Sequence, residues 1–156
     1  MKISEFLCSK AVISDLKATT KKEVIEELVD SLVKAGPIEK KIRNKLVEVL
    51  MAREALGSTA IGQGVAIPHG KCENVTKLTA ALGISKKGID FDSLDGEPAY
   101  IFFLLAAPLD SAGPHLKALQ RITRLLKDKY FRENFKSAKD EKAILALLTQ
   151  DESQTV

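Results

Sequence analysis

A chain of 156 residues has the length of one domain and is long enough to bury most of the surface that its unfolded form exposes. Apolar residues make up 45% and charged residues 29%; no proline-rich, glycine-serine or single-residue tract interrupts them, which excludes a low-complexity chain and leaves one core to be expected. The formal net charge is only +3, with lysines mixed among glutamates, so neither nucleic acid nor a membrane surface is an expected partner.

The domain is expected to span residues 1–156, with its core over about residues 2–150 and a flexible tail at 151–156. "MKISEFLCSK" at the N-terminus has no long apolar stretch and no small-residue cleavage site, so a cytoplasmic location is expected. Cys8 and Cys72 have no metal-ligand spacing, and reduced thiols are the expectation.

Ala11, Val12 and Ile13 form a short apolar stretch. Thr20 and Glu23 then stand at capping-box spacing before Val24, Ile25, Leu28 and Leu32, which predicts a helix from about Lys21. Gly36-Pro37 stops it, and Ile38, Ile42, Leu46, Val49 and Leu50 trace a second helix ending before Gly57. "GSTAIGQG" reads as turns, Val65, Ala66 and Ile67 as a brief strand, and residues 78–84 ("LTAALGI") as a better one. Turn signals at Gly88 and Asp95-Gly96 bracket "IDF".

Residues 100–108 ("YIFFLLAAP") are apolar at consecutive positions, as a central strand covered on both faces must be. The run is well short of the ~20 residues needed to cross a bilayer as a helix. Leu116, Leu119, Ile122, Thr123 and Leu126 then repeat at helical spacing behind Gly113-Pro114, which places His115 in a first turn. A short helix at Tyr130 to Phe135 and a last one at Ala143 to Leu148 complete the chain. Strands and helices alternate imperfectly, so the expected fold class is α/β, with a mixed sheet of about five strands and helices on both faces.

The two histidines are His69 and His115. His69 is placed just past a strand end between Pro68 and Gly70, and His115 at a helix N-terminus after another strand, so two elements of one sheet could bring both rings to one edge. Each has a plainer reading: His69 as a surface-loop ring, His115 as a first-turn residue facing solvent. Arg53, at the end of the second helix, reads equally as a phosphoryl-binding cation or as a solvated helix-end charge. Ser58 and Thr59 are hydroxyl donors or simply turn residues.

No "HExxH" or comparable carboxylate spacing points to a metal, "LGSTA" is not a nucleophile elbow, and "GQGVAIPHGK" lacks the spacing and hydroxyl of a nucleotide loop. No cofactor and no metal ion are therefore expected. A neutral imidazole can itself attack a phosphoryl group, and such transfer needs donors for the phosphoryl oxygens more than it needs a base. Lys117, Arg121 and Arg124 share a helix face, but without interleaved aromatics they read as solvated charges rather than a nucleic-acid surface.

"REALGSTAIGQGVAIPHGK" (residues 53–71) and "APLDSAGPHLKALQRITRLLKD" (residues 107–128) resemble the fructose/mannitol type of enzyme IIA of the bacterial phosphoenolpyruvate-dependent phosphotransferase system. The long pattern "GSTxIGxGxAIPHG" carries the likeness, and it extends from "KISEFL" through the last helix. The resemblance implies a cytoplasmic carrier that takes a phosphoryl group from a histidine phosphocarrier protein. In it His69 is the phosphorylated residue, through Nε2; His115 stabilises the phosphoryl group; Arg53 stabilises it or contacts the partner. Pro114 stands before His115 where the family has a variable and often polar residue. The length and N-terminal sequence look most like the nitrogen-regulatory branch, in which phosphorylation alters binding to target proteins. The alternative is a sugar-uptake component passing phosphate to a IIB partner.

Overall fold

The computed structural model describes residues 1–154, within which the chain forms six strands and five helices. A 3-10 turn at Ile3–Glu5 leads into β1 (Leu7–Ile13), which is longer than the apolar stretch that marks it in the sequence. Helix α1 (Lys21–Ala35) begins where the capping box predicts. The Thr20 hydroxyl accepts from the Glu23 N–H at 3.2 Å, and the Glu23 carboxylate accepts from the Thr19 N–H at 3.1 Å, so donors that a helix start leaves unpaired are satisfied. Gly36 ends α1 at φ 109°, a left-handed conformation that glycine adopts without steric cost, and its N–H closes onto the Leu32 carbonyl. Helix α2 (Arg43–Ala55) starts later than its apolar stripe suggests, because Lys40–Ile42 form a 3-10 turn first.

The remaining strands are β2 (Ala60–Gly62), β3 (Val65–Ala66), β4 (His69–Lys71), β5 (Thr79–Ile89) and β6 (Ala99–Ala107). Their spatial order is β1-β5-β6-β3-β2, with β4 also paired to β6. The β5/β6 and β2/β3 pairs are antiparallel and the others parallel, so the sheet is mixed, as expected, with six strands rather than about five. Gln63 and Gly64 join β2 to β3 with φ of 58° and 80°, the positive pair of a tight two-residue hairpin whose twist matches its strands.

Strand β6 is the spine, and its run of consecutive apolar residues is explained by a core on each face. Phe102, Leu104 and Ala106 pack with Val24, Leu28, Leu32, Leu46 and Leu50 of α1 and α2. Ile101, Phe103 and Leu105 pack on the other side with Ile122, Phe131, Phe135 and Ile144. These come from α3 (Ala112–Leu126), α4 (Lys129–Ser137) and α5 (Glu141–Gln154). Each of the larger side chains, fully buried, contributes about 2 kcal/mol relative to exposure. Among the described residues no helix is long and apolar enough to cross a membrane.

Of residues 151–156, expected as a flexible tail, 151–154 form the last turn of α5, where Asp151 is buried against Arg121, and 155–156 lie outside the described residues. One expectation needs correction. Arg121 is correspondingly not part of a solvated basic stripe, since burial and the carboxylate hold it inside. Asp151→Asn keeps a hydrogen bond but removes the carboxylate charge paired directly with a buried guanidinium, so about 2 kcal/mol of stability should be lost. Chemical denaturation at neutral pH checks this, and an unchanged midpoint would contradict it.

Candidate functional site

Strands β3 and β4 form one interrupted strand along β6. Val65 and Ala66 pair with Ile101 and Phe102, and His69, Gly70 and Lys71 pair with Leu105, Ala106 and Ala107. Pro68, which has no N–H to donate, bridges the interruption by accepting from the Leu105 N–H at 2.9 Å. His69 is therefore a strand residue rather than a loop residue past a strand end, and pairing with β6 fixes its backbone.

Side chains alternate across a strand, so Gly70 faces one way while His69 and Lys71 face the other. A Cβ on Gly70 would stand 3.0 Å from Val49 Cγ1, so the bare glycine lets β4 lie close against α2. The His69 ring turns instead toward α3. Strand β6 ends two residues beyond Leu105, and a short loop delivers α3, whose first turn carries His115. Pro114 sits within that first turn without disturbing it, where its missing N–H has no partner to lose, and the His115 N–H donates to the Ser111 carbonyl at 2.9 Å.

The two histidines meet. Their ring centroids are 5.4 Å apart with planes at 76°, an edge-on contact. His115 is not the solvent-facing residue of the plainer reading; it is 7% exposed, and its buried Nε2 has no hydrogen-bond partner. Burial, with the neighbouring charges of His69 and Lys71 adding to it, pushes its pKa down to about 4. His69 is half-buried, and its Nδ1 lies 2.7 Å from the Ile67 carbonyl oxygen. A carbonyl oxygen only accepts, so Nδ1 carries the proton and Nε2 keeps its lone pair. Burial lowers the His69 pKa from its usual 6.5; the Ile67 bond opposes the shift and the Arg53 charge reinforces it.

Arg53 lies close enough to act electrostatically on His69 while one of its guanidinium nitrogens donates to the Gly57 carbonyl at 2.8 Å. Ser58 and Thr59 take the structural option: their hydroxyls donate to the Phe91 carbonyl oxygen and to the Glu54 carboxylate. Lys71, which sequence reasoning passed over, belongs to the site by its charge on His115. Reading "HGK" as a strand would have found it, because residues two apart share a face. One half-buried imidazole with a free nitrogen, a second neutral imidazole beside it and cations at the margin suit an incoming tetrahedral anion better than a cation.

Comparison with known proteins agrees with that chemistry. A nitrogen regulatory protein of Bradyrhizobium diazoefficiens is 38% identical over 148 residues, covering 95% of both chains. The fructose-specific EIIABC component of the Bacillus subtilis phosphotransferase system is 38% identical over 150 residues, which is 96% of this chain but only 23% of that longer protein. The crystal structure of nitrogen regulatory protein IIA-Ntr from Neisseria meningitidis superposes with a TM-score of 0.84 at 32% identity, over 94% of this chain and 98% of that one. Residues 5–151 match the family model described as the phosphoenolpyruvate-dependent sugar phosphotransferase system, EIIA 2. With the fold and nearly the whole length in agreement, the chain belongs to the EIIA type 2 family of that phosphotransferase system.

Proposed function

We propose that this chain accepts a phosphoryl group on Nε2 of His69 from the phosphorylated histidine of a small phosphocarrier protein in the cytoplasm. The observation that carries the reading is the hydrogen bond from His69 Nδ1 to the Ile67 carbonyl, which leaves Nε2 unprotonated in a ring that stands edge-on to His115. As the new P–Nε2 bond forms, the P–N bond to the donor imidazole breaks and that ring leaves with the electron pair. The Nδ1 proton stays in place, and the Ile67 carbonyl steadies the positive charge that the His69 ring acquires. Phosphoryl oxygens give the buried His115 Nε2 the partner it lacks, and Arg53 and Lys71 balance their charge.

The donor is a protein rather than a nucleotide. The purified chain incubated with labelled ATP should stay unlabelled, while the phosphorylated phosphocarrier should label it to one group per chain. Stoichiometric labelling from ATP alone would overturn the reading.

The onward role favoured here is regulatory: the phosphoryl group adds a charge of about −2 to the site and changes which proteins dock over it. Relatives named nitrogen regulatory proteins that match over nearly their whole length support this. The equally identical fructose-specific protein supports the second reading, transfer to a IIB domain for sugar uptake. Incubating the phosphorylated chain with a fructose-type IIB domain separates them. Retention of the label is expected, and rapid loss to IIB would favour uptake.

A further inference from the structure

Glu54, next to Arg53 in the last turn of α2, is only 5% exposed, and its carboxylate joins three parts of the structure. It accepts from Lys21 Nζ at 3.1 Å, from the Thr59 N–H at 3.3 Å, and from the Thr59 hydroxyl in a short hydrogen bond. Lys21 opens α1, bridges to Asp92 at 2.9 Å and lies over the Phe91 ring. Glu54 thus fastens the start of the 57–67 segment to both helices of one face.

From Thr59 the connection continues to the site. The Thr59 carbonyl accepts from the Ile67 N–H at 3.1 Å, and the Ile67 carbonyl accepts the His69 Nδ1 proton at 2.7 Å. The Ile67 peptide is held on one side by Thr59 and holds His69 on the other. We propose that Glu54 is a positioning residue: by anchoring Thr59 it fixes the Ile67 carbonyl, and so keeps His69 in the Nδ1–H tautomer with Nε2 free. Arrangements of this kind, in which an outer carboxylate orients a working imidazole, typically change activity by about 10–100-fold when removed. A buried carboxylate is costly to retain unless its bonds are well made, and all three made here converge on this one segment and the helix beneath it.

The inference rests on the proposed role of His69 as acceptor, but its test reads the tautomer of the resting protein, with no donor present. In wild type, the ring 15N shifts of His69 should show Nδ1 protonated and Nε2 unprotonated at neutral pH. In Glu54→Gln that signature should give way to a mixture of tautomers, and phosphorylation should slow about tenfold in kcat with KM for the phosphocarrier unchanged. Thr59→Val, which removes the hydroxyl at constant shape, should do the same, and Thr59→Ser should restore the wild-type shifts. If Glu54→Gln fails to fold, the two Thr59 variants decide the matter. Unaltered His69 shifts in Thr59→Val, or a rise in KM at constant kcat in Glu54→Gln, would overturn the inference. Wild type that takes no phosphoryl group, yet shows the tautomer change between variants, would overturn the acceptor role alone.

Discussion

His69→Ala should take no phosphoryl group from the phosphorylated phosphocarrier at any time of incubation, while keeping its fold. The loss is complete because no other nitrogen stands in the same position: His115 is buried, and its backbone is tied into the first turn of α3. The fold survives because the pairing of β4 with β6 is made by backbone groups, and the half-buried ring contributes little to either core. Wild-type phosphorylation should also have a one-sided pH dependence. Only the neutral ring attacks, and burial together with Arg53 holds the His69 pKa below 6.5, so the rate should be level at and above that pH and fall as the solution becomes more acid. Time courses with labelled phosphocarrier over a pH series measure both; a His69→Ala protein labelled at the normal rate would contradict the assignment.

His115→Ala should still be labelled, but slowly. Losing one donor to the developing phosphoryl charge costs about 3 kcal/mol of transition-state stabilisation, roughly a hundredfold in rate. The same residue has a second, independent signature in stability. Its pKa is about 4 in the folded chain, against about 6.5 for an unperturbed histidine. Between those values the unfolded chain binds a proton that the folded chain does not, so folding becomes less favourable as the pH falls. The contribution is fully present above pH ~6.5 and lost progressively toward pH ~4, amounting to about 3 kcal/mol over that window. His115→Ala lacks this component. Its stability should therefore approach that of wild type as the pH drops from 7 to 4, and denaturant titrations at several pH values check it. A constant gap between the two proteins across that range would show that His115 is not held neutral by burial.

What could be read from the sequence was whatever local chemistry decides. The capping of α1 by Thr20 and Glu23 and its termination at Gly36 depend on residues within a few positions of one another, and they stand as read. The central strand was equally plain, because the consecutive residues from Tyr100 to Ala106 can be so apolar only if both faces are covered, and they lie within β6. His69 was harder. Proline and glycine on either side argue for a loop, and only pairing with the distant β6 makes residues 69–71 a strand. That pairing also brings Lys71 to the site. Asp151 was hidden for a similar reason: "TQDESQ" looks like a polar end, and its burial follows from Arg121, thirty positions earlier in the chain. His69 could be expected past a strand end and His115 at a helix start, whereas their 5.4 Å contact depends on the register between β4 and β6 and on the length of the loop to α3.

The central claim is that one atom, Nε2 of His69, receives the phosphoryl group. It is tested most directly by labelling the 15N-histidine protein with the phosphocarrier and recording which ring nitrogen couples to phosphorus. Coupling to Nε2 of His69, with Nδ1 still protonated, is the predicted result; coupling to Nδ1, or to either nitrogen of His115, would contradict it.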